Sequence, residues 1–229
     1  MNPTNRAVSA RRHSQLHDNG TVIPSPAASD ITLGILAGGR ATRLGGIDKA
    51  WLERDGVPQV VRWQRRFAHE TGAVLVSANR NLERYSLAGL TTVADRTATD
   101  LGPLAGLDAL AQACVTPWML TLPVDLVGVN ECLLPTLVAL VGANGAFAVD
   151  DDGPQPLVAL WRVRALQDAT AAAAATGEVA VHALQAGLGM AAVRFDGVRF
   201  GNLNTPDDLA AAGFTSASIT SASITPASP

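Results

Sequence analysis

The stretch GILAGGRATRLGGIDKAWL, Gly34 to Leu52, decides how this chain is read. An apolar run ends in a short segment holding four glycines and two arginines. It closes on Asp48-Lys49 before the chain turns apolar again. Glycine at this density weakens any helix or strand, so the segment reads as a loop that must offer its backbone to something side chains would obstruct. Main-chain N–H groups freed of side chains can converge on an anion, and a helix N-terminus beside them adds partial positive charge. Arg40, Arg43 and Lys49 bring mobile charge to the same place, which suits a polyphosphate. The pattern is neither GxxxxGK[ST] nor GxGxxG, which argues against a P-loop and a nicotinamide cofactor. The alternative reading is a surface turn with solvated basic residues.

On either side of this loop, short apolar runs alternate with helical patterns. Strands are expected at Ile31–Ala37, Ala73–Ser77, Leu90–Ala94, Trp118–Leu122, Ala146–Val149, Leu157–Trp161 and Met190–Phe195. Helices are expected at Pro58–Glu70, Pro103–Ala113, Glu131–Val141, Val163–Thr176 and Val179–Ala186. A last helix begins after Thr205, the expected N-cap, with Pro206 at its first position and Asp207-Asp208 in its first turn. Strands that are continuously apolar suit a sheet covered on both faces. Strand–helix alternation then predicts an α/β fold: a three-layer, Rossmann-like arrangement on a mostly parallel sheet. Such sheets bind ligands at the carboxyl ends of their strands. The polar residues fall there: the glycine loop after the first strand, Asn79 after the second, Asp95 after the third and Asp125 after the fourth.

The domain is expected to span residues 31–212, between a polar extension over 1–30 and a low-complexity tail over 213–229 that repeats TSASI. Net charge is −3 and aromatic residues make up 4%, so nothing marks a nucleic-acid binder. Arg11-Arg12 is not followed by an apolar run, which rejects an export signal, and no window approaches a membrane span; a cytoplasmic protein is the expectation. Cys114 and Cys132 lack metal-ligand spacing and read as small buried hydrophobes.

Six motifs in series carry a resemblance across nearly the whole body. LAGGRATRLGGIDKAWLERDGVP is followed by SANR (Ser77–Arg80), VADR (Val93–Arg96), GPLAGL (Gly102–Leu107), LPVD (Leu122–Asp125) and NLNTPDDL (Asn202–Leu209). Together they resemble the molybdenum cofactor guanylyltransferase family of the sugar-nucleotide pyrophosphorylase-like nucleotidyltransferases. The resemblance implies that GTP is held by the backbone of Leu36, Ala37 and Gly38, with Gly39 to Gly46 around the phosphates and Lys49 and Arg43 neutralising charge as pyrophosphate leaves. It implies nucleoside contacts at Asn79 and Asp95; an amide and a carboxylate can read a guanine or ribose edge, or can simply form turns after strands. Asp125 matches the family's magnesium-binding aspartate, and Mg²⁺ prefers oxygen ligands. Asn202 and Asn204 match a motif beside the pterin substrate; the bland alternative is that they only cap the last helix.

The implied reaction moves GMP from GTP to molybdopterin carrying molybdenum. No catalytic histidine is needed, because the attacking phosphate is already ionised. A monomer is expected, with molybdenum-insertion and molybdoenzyme-maturation proteins as further partners. Where the family often carries basic residues, this chain has GEVAVHAL (Gly177–Leu184); His182 could take over the grip on the pterin phosphate, or serve structurally as a lone helical histidine usually does. The rival readings are cytidylyl transfer, transfer to a sugar phosphate, and a non-catalytic nucleotide-binding module.

Overall fold

The computed structural model describes residues 25–38, 47–96, 101–177 and 180–214. The glycine loop beyond Gly38, including Gly39, Arg40 and Arg43, lies outside the described residues, as do residues 1–24 and 215–229. The first strand, β1 (Ile31–Leu36), is followed by a two-stranded ribbon, β2 (Glu53–Arg54) and β3 (Val57–Pro58), and by α1 (Gln59–Phe67). Then come β4 (Ala73–Ser77), α2 (Leu82–Leu87), β5 (Thr91–Val93), α3 (Pro103–Ala113), β6 (Trp118–Pro123), β7 (Leu126–Val127) and α4 (Leu133–Ala139). The remainder is β8 (Gly145–Asp150), β9 (Gly153–Arg162), α5 (Val163–Thr176), α6 (Val181–Gly187), β10 (Ala191–Arg194), β11 (Gly201–Asn202) and α7 (Pro206–Ala211).

Seven strands form one sheet in the order β10-β8-β9-β6-β1-β4-β5. Every neighbouring pair is parallel except the two made by β9, which runs antiparallel to both β6 and β8. The three-layer, mostly parallel arrangement expected from the apolar strands is therefore the one found. Side chains alternate across the central strands. Ile31, Leu33 and Ile35 of β1, with Trp118, Leu120 and Leu122 of β6, pack with Val60, Trp63 and Phe67 of α1, Leu133 and Leu137 of α4 and Leu209 of α7. Leu36 and Met119 point the other way, into a second cluster with Leu107 and Leu110 of α3, Leu166 of α5 and Leu184 of α6. Gly34 permits the close seat of α3: a Cβ there would lie 3.1 Å from Met119 Sδ and 3.2 Å from Leu110 Cδ1.

Four features differ from expectation. The segment after SANR forms the short helix α2, whose Tyr85 is buried against Trp51. Two small ribbons appear, β2 with β3 and β7 with β11, both too short to leave a period in the sequence. Phe214, beyond the expected boundary at 212, is buried in the first core cluster. Cys114 is buried as expected, but Cys132 is exposed just before α4, because the apolar residues of that helix that face the core begin at Leu133.

Candidate active site

The sheet changes direction between β1 and β6: the chain proceeds from β1 outward through β4 to β5, then returns to place β6 on the other side of β1. A crevice at the carboxyl ends of these two strands is where such sheets take ligands. The backbone ladder continues past the strand ends and aligns their loops. Val124 N–H donates to Leu36 O at 3.0 Å, Ala37 N–H to Ser77 O at 3.0 Å, and Ala78 N–H to Val93 O at 3.0 Å. Leu36, Ala37 and Gly38 thus lie in the middle of the edge, with Asp125 on one side and Asn79 and Asp95 on the other.

On the β6 side three predicted residues from distant parts of the chain meet. The Lys49 ammonium donates to Asp125 Oδ2 at 2.7 Å and to Asn204 Oδ1 at 2.8 Å. The Lys49 and Asp125 side chains are 17% and 21% exposed, so the pair is sheltered yet reachable. Lys49 opens a single 3-10 turn, Lys49–Trp51, capped by the buried Asp48, whose Oδ1 accepts from Ala50 N–H at 3.2 Å. The other Asp48 oxygen accepts from Asn81 Nδ2 at 2.8 Å. Asn81 has φ +56°, a left-handed conformation that asparagine tolerates. Asp48 therefore ties the lysine turn to the loop after SANR.

Asn204 is placed by a reciprocal cap. Thr205 Oγ1 accepts from Asp208 N–H at 3.1 Å, while an Asp208 oxygen accepts from Thr205 N–H at 2.7 Å and Asn204 N–H at 3.0 Å. The Thr205 side chain, these backbone donors and nearby Lys49 hold the Asp208 carboxyl below its ordinary pKa. Capping and site placement are thus one structure, so the two readings of the NLNTPDDL motif do not compete. Asn202 sits in β11 opposite Leu126 of β7, one residue from Asp125, and is exposed.

On the β4 side Asn79 and Asp95 are mutual partners. Asn79 Nδ2 donates to Asp95 Oδ2 at 2.7 Å, and Asp95 N–H donates to Asn79 Oδ1 at 2.9 Å. The amide thus holds both the carboxylate and the backbone N–H of Asp95. Asp95 itself is half-buried and Asn79 exposed. His182 is exposed on α6 and joins neither group of residues.

Several supporting residues carry no motif and were missed in the sequence. Gln59 and Trp63 on α1 donate to the carbonyls of Leu126 and Val124, on either side of Asp125. Asp150, fully buried at the end of β8, accepts from Asp152, Gly153 and Phe200 N–H. Burial pushes the Asp150 carboxyl up, but bonds from Phe200, Gln155, Asp152 and Gly153 outweigh it and leave the pKa below its ordinary value. Only the Asp-rich turn Asp150–Gly153 hinted at this role.

With this geometry in hand, the comparisons with known proteins decide the family. The family model described as "MobA-like NTP transferase domain" matches residues 33–189. The chain belongs to this family. It is thus a nucleotidyltransferase, and the resemblance carried by the six motifs holds over the folded body. Among its relatives is a molybdenum cofactor guanylyltransferase of Cupriavidus necator, 36% identical over 192 residues that cover 80% of this chain and 96% of the relative. Another of that name, from Burkholderia ambifaria, is 39% identical over 201 residues covering 82% and 96%. In three dimensions this MobA-like transferase is similar to the molybdopterin-guanine dinucleotide biosynthesis protein A of Archaeoglobus fulgidus. The TM-score is 0.58 at 17% identity, covering 80% of this chain and 96% of the other. A cytidylyltransferase acting on 2-C-methyl-D-erythritol 4-phosphate, from Thermus thermophilus, gives 0.57 at 18%, covering 79% and 96%. These two likenesses speak to the fold. Among the described residues no helix is long and apolar enough to cross a membrane.

Proposed function

We propose that the chain transfers GMP from GTP to molybdopterin carrying molybdenum, as the names of its relatives indicate. The observation that carries this reading is the meeting of Lys49, Asp125 and Asn204 at the strand ends beside Leu36–Gly38. A terminal phosphate oxygen of the pterin attacks the α-phosphorus in line. A new P–O bond forms, the α–β bridging bond breaks, and pyrophosphate leaves with the electron pair. The chain's part is positioning and charge neutralisation. The amides of Leu36–Gly38 hold phosphate, Lys49 balances charge on the departing pyrophosphate, and Asp95, oriented by Asn79, accepts hydrogen bonds from the nucleoside. A carboxylate has acceptors only, which favours the adjacent N–H donors of guanine over the mixed edge of cytosine.

Magnesium fits the donor set. Asp125 and Asn204 turn oxygens toward one point that already attracts an ammonium, and a hard divalent cation needs only one or two such protein ligands when substrate phosphates supply others. Among the described residues no cluster of three or more His, Cys, Asp or Glu could hold a metal without help. The ion would screen phosphate charge. A cytoplasmic, monomeric enzyme working beside molybdenum-insertion and molybdoenzyme-maturation proteins completes the proposal.

The test is incubation of the chain with GTP, Mg²⁺ and molybdenum-loaded molybdopterin. The guanine dinucleotide and pyrophosphate should form with GTP and not with CTP, and Asp125→Asn should lose turnover. Product from CTP, or unchanged turnover in Asp125→Asn, would overturn the reading.

A further inference from the structure

The main chain around Asp125 is gripped by three parts of the fold through four hydrogen bonds. Val124 N–H donates to Leu36 O, and Leu203 N–H donates to Asp125 O at 3.0 Å. Val124 O accepts from Trp63 Nε1 at 3.1 Å, and Leu126 O accepts from Gln59 Nε2 at 3.1 Å. The two side-chain donors stand four residues apart on α1, one turn of the same helix face. They are 4% and 8% exposed. The first turn of α1 is itself tied to the lysine turn, because Gln59 N–H donates to Leu52 O at 2.9 Å. A position this buried, one residue before the core residue Val60, would ordinarily take an apolar side chain. An amide there is costly unless its donors are used, and this one is used on the corner that aims the acidic residue.

We infer that Gln59 and Trp63 are positioning residues: they fix the peptide groups on both sides of Asp125 and so set the affinity for the divalent ion and nucleotide together. This rests on Asp125 being the metal carboxylate, as proposed above. Without the two donors, the carbonyls of Val124 and Leu126 are left buried and unpaired. The corner then relaxes, and the Asp125 carboxylate no longer points where Lys49 and Asn204 converge.

The probe is Mn²⁺ titrated into the full chain with GTP and no pterin, with the free ion followed by its paramagnetic resonance signal. Gln59→Leu keeps the size of the side chain and Trp63→Phe keeps an aromatic ring, so each removes a donor. Outer-shell partners of metal ligands typically change affinity by about 10- to 100-fold, so each variant should weaken binding about tenfold. Leu166→Ala, in the opposite core layer on α5, serves as the control for general destabilisation and should leave the affinity within about twofold. Half-saturating Mg²⁺ in turnover should rise in the two positioning variants by the same factor while kcat at saturating Mg²⁺ changes less. If either variant folds poorly, the other carries the test. Unchanged Mn²⁺ affinity in both, with Asp125→Asn abolishing binding, removes the positioning role alone. Unchanged affinity in Asp125→Asn removes the metal reading on which it rests.

Discussion

Replacing Lys49 by methionine should strengthen the binding of a divalent ion when no nucleotide is present. The Lys49 ammonium sits 2.7 Å from Asp125 Oδ2 and 2.8 Å from Asn204 Oδ1. It occupies the place where an ion would approach those oxygens. An incoming Mn²⁺ or Mg²⁺ must first dislodge it. Side chains 17% and 21% exposed lie between a surface pair, worth about 0–1 kcal/mol, and a buried one, whose disruption costs about 3–5 kcal/mol. Hydrogen bonds to charged groups contribute about 1.5–3 kcal/mol, and about 2 kcal/mol is the fitting value here. At 1.4 kcal/mol per factor of ten, its removal should tighten nucleotide-free Mn²⁺ binding by about 25- to 30-fold. Methionine keeps the length of the side chain and removes the charge. With GTP present the sign reverses, because the lysine is then needed by the triphosphate, and turnover should fall at least 100-fold, the scale of one lost preorganised donor, about 10² or more. The measurement is a Mn²⁺ titration with and without GTP. Unchanged or weaker Mn²⁺ binding in nucleotide-free Lys49→Met would refute the view that the lysine stands in for a cation.

Further outcomes follow from the supporting residues. Asp150→Asn should cost about 1–3 kcal/mol in urea unfolding at pH 7, since its single amide oxygen can replace only one carboxylate oxygen and leaves either Phe200 N–H, or Asp152 and Gly153 N–H, without an acceptor. The native Asp150 carboxyl lies below its ordinary value of 3.8, so its contribution is present above that pH and is lost as pH falls through the folded-state value; the gap between wild type and Asp150→Asn should begin to narrow below about pH 4 and close further only as the pH passes the folded-state value. Gly128 has φ +79°, and a Cβ there would lie 2.5 Å from Arg199 O. Gly128→Ala should therefore destabilise by about 1–3 kcal/mol and reduce turnover by parting the β7–β11 ribbon that holds Asn202 opposite Leu126. Removing residues 215–229 should leave turnover and melting temperature unchanged, whereas extending the deletion through the buried Phe214 should lower the melting temperature, read by thermal unfolding.

Much of this molecule was legible in its sequence because the signals were local. Continuous apolar strands such as ITLGIL over Ile31–Leu36 and WMLTL over Trp118–Leu122 state that both sheet faces are covered, and both strands are where the pattern put them. Pro103–Ala113 and Val163–Thr176 are helices over the full expected spans. The cap at Thr205 is written in Thr-Pro-Asp-Asp. The helix expected over Pro58–Glu70 is shorter, Gln59–Phe67, since its last residues turn back to join β4. The places of the motif residues were legible for a similar reason: each follows directly on an apolar strand, although a turn-forming role fits that position as well.

What the sequence could not decide were interactions made across long separations. Lys49 meets Asp125 76 residues away and Asn204 155 residues away, and only the parallel register of β1 with β6 brings them to one edge. Gln59 and Trp63 read as ordinary positions on an amphipathic helix, because nothing along the chain says that the peptide they face flanks an acidic residue. A side chain's type is a property of its own position. Its partner, and hence its task, is set by which strand ends the sheet order places together, and that order exists only once the chain has folded.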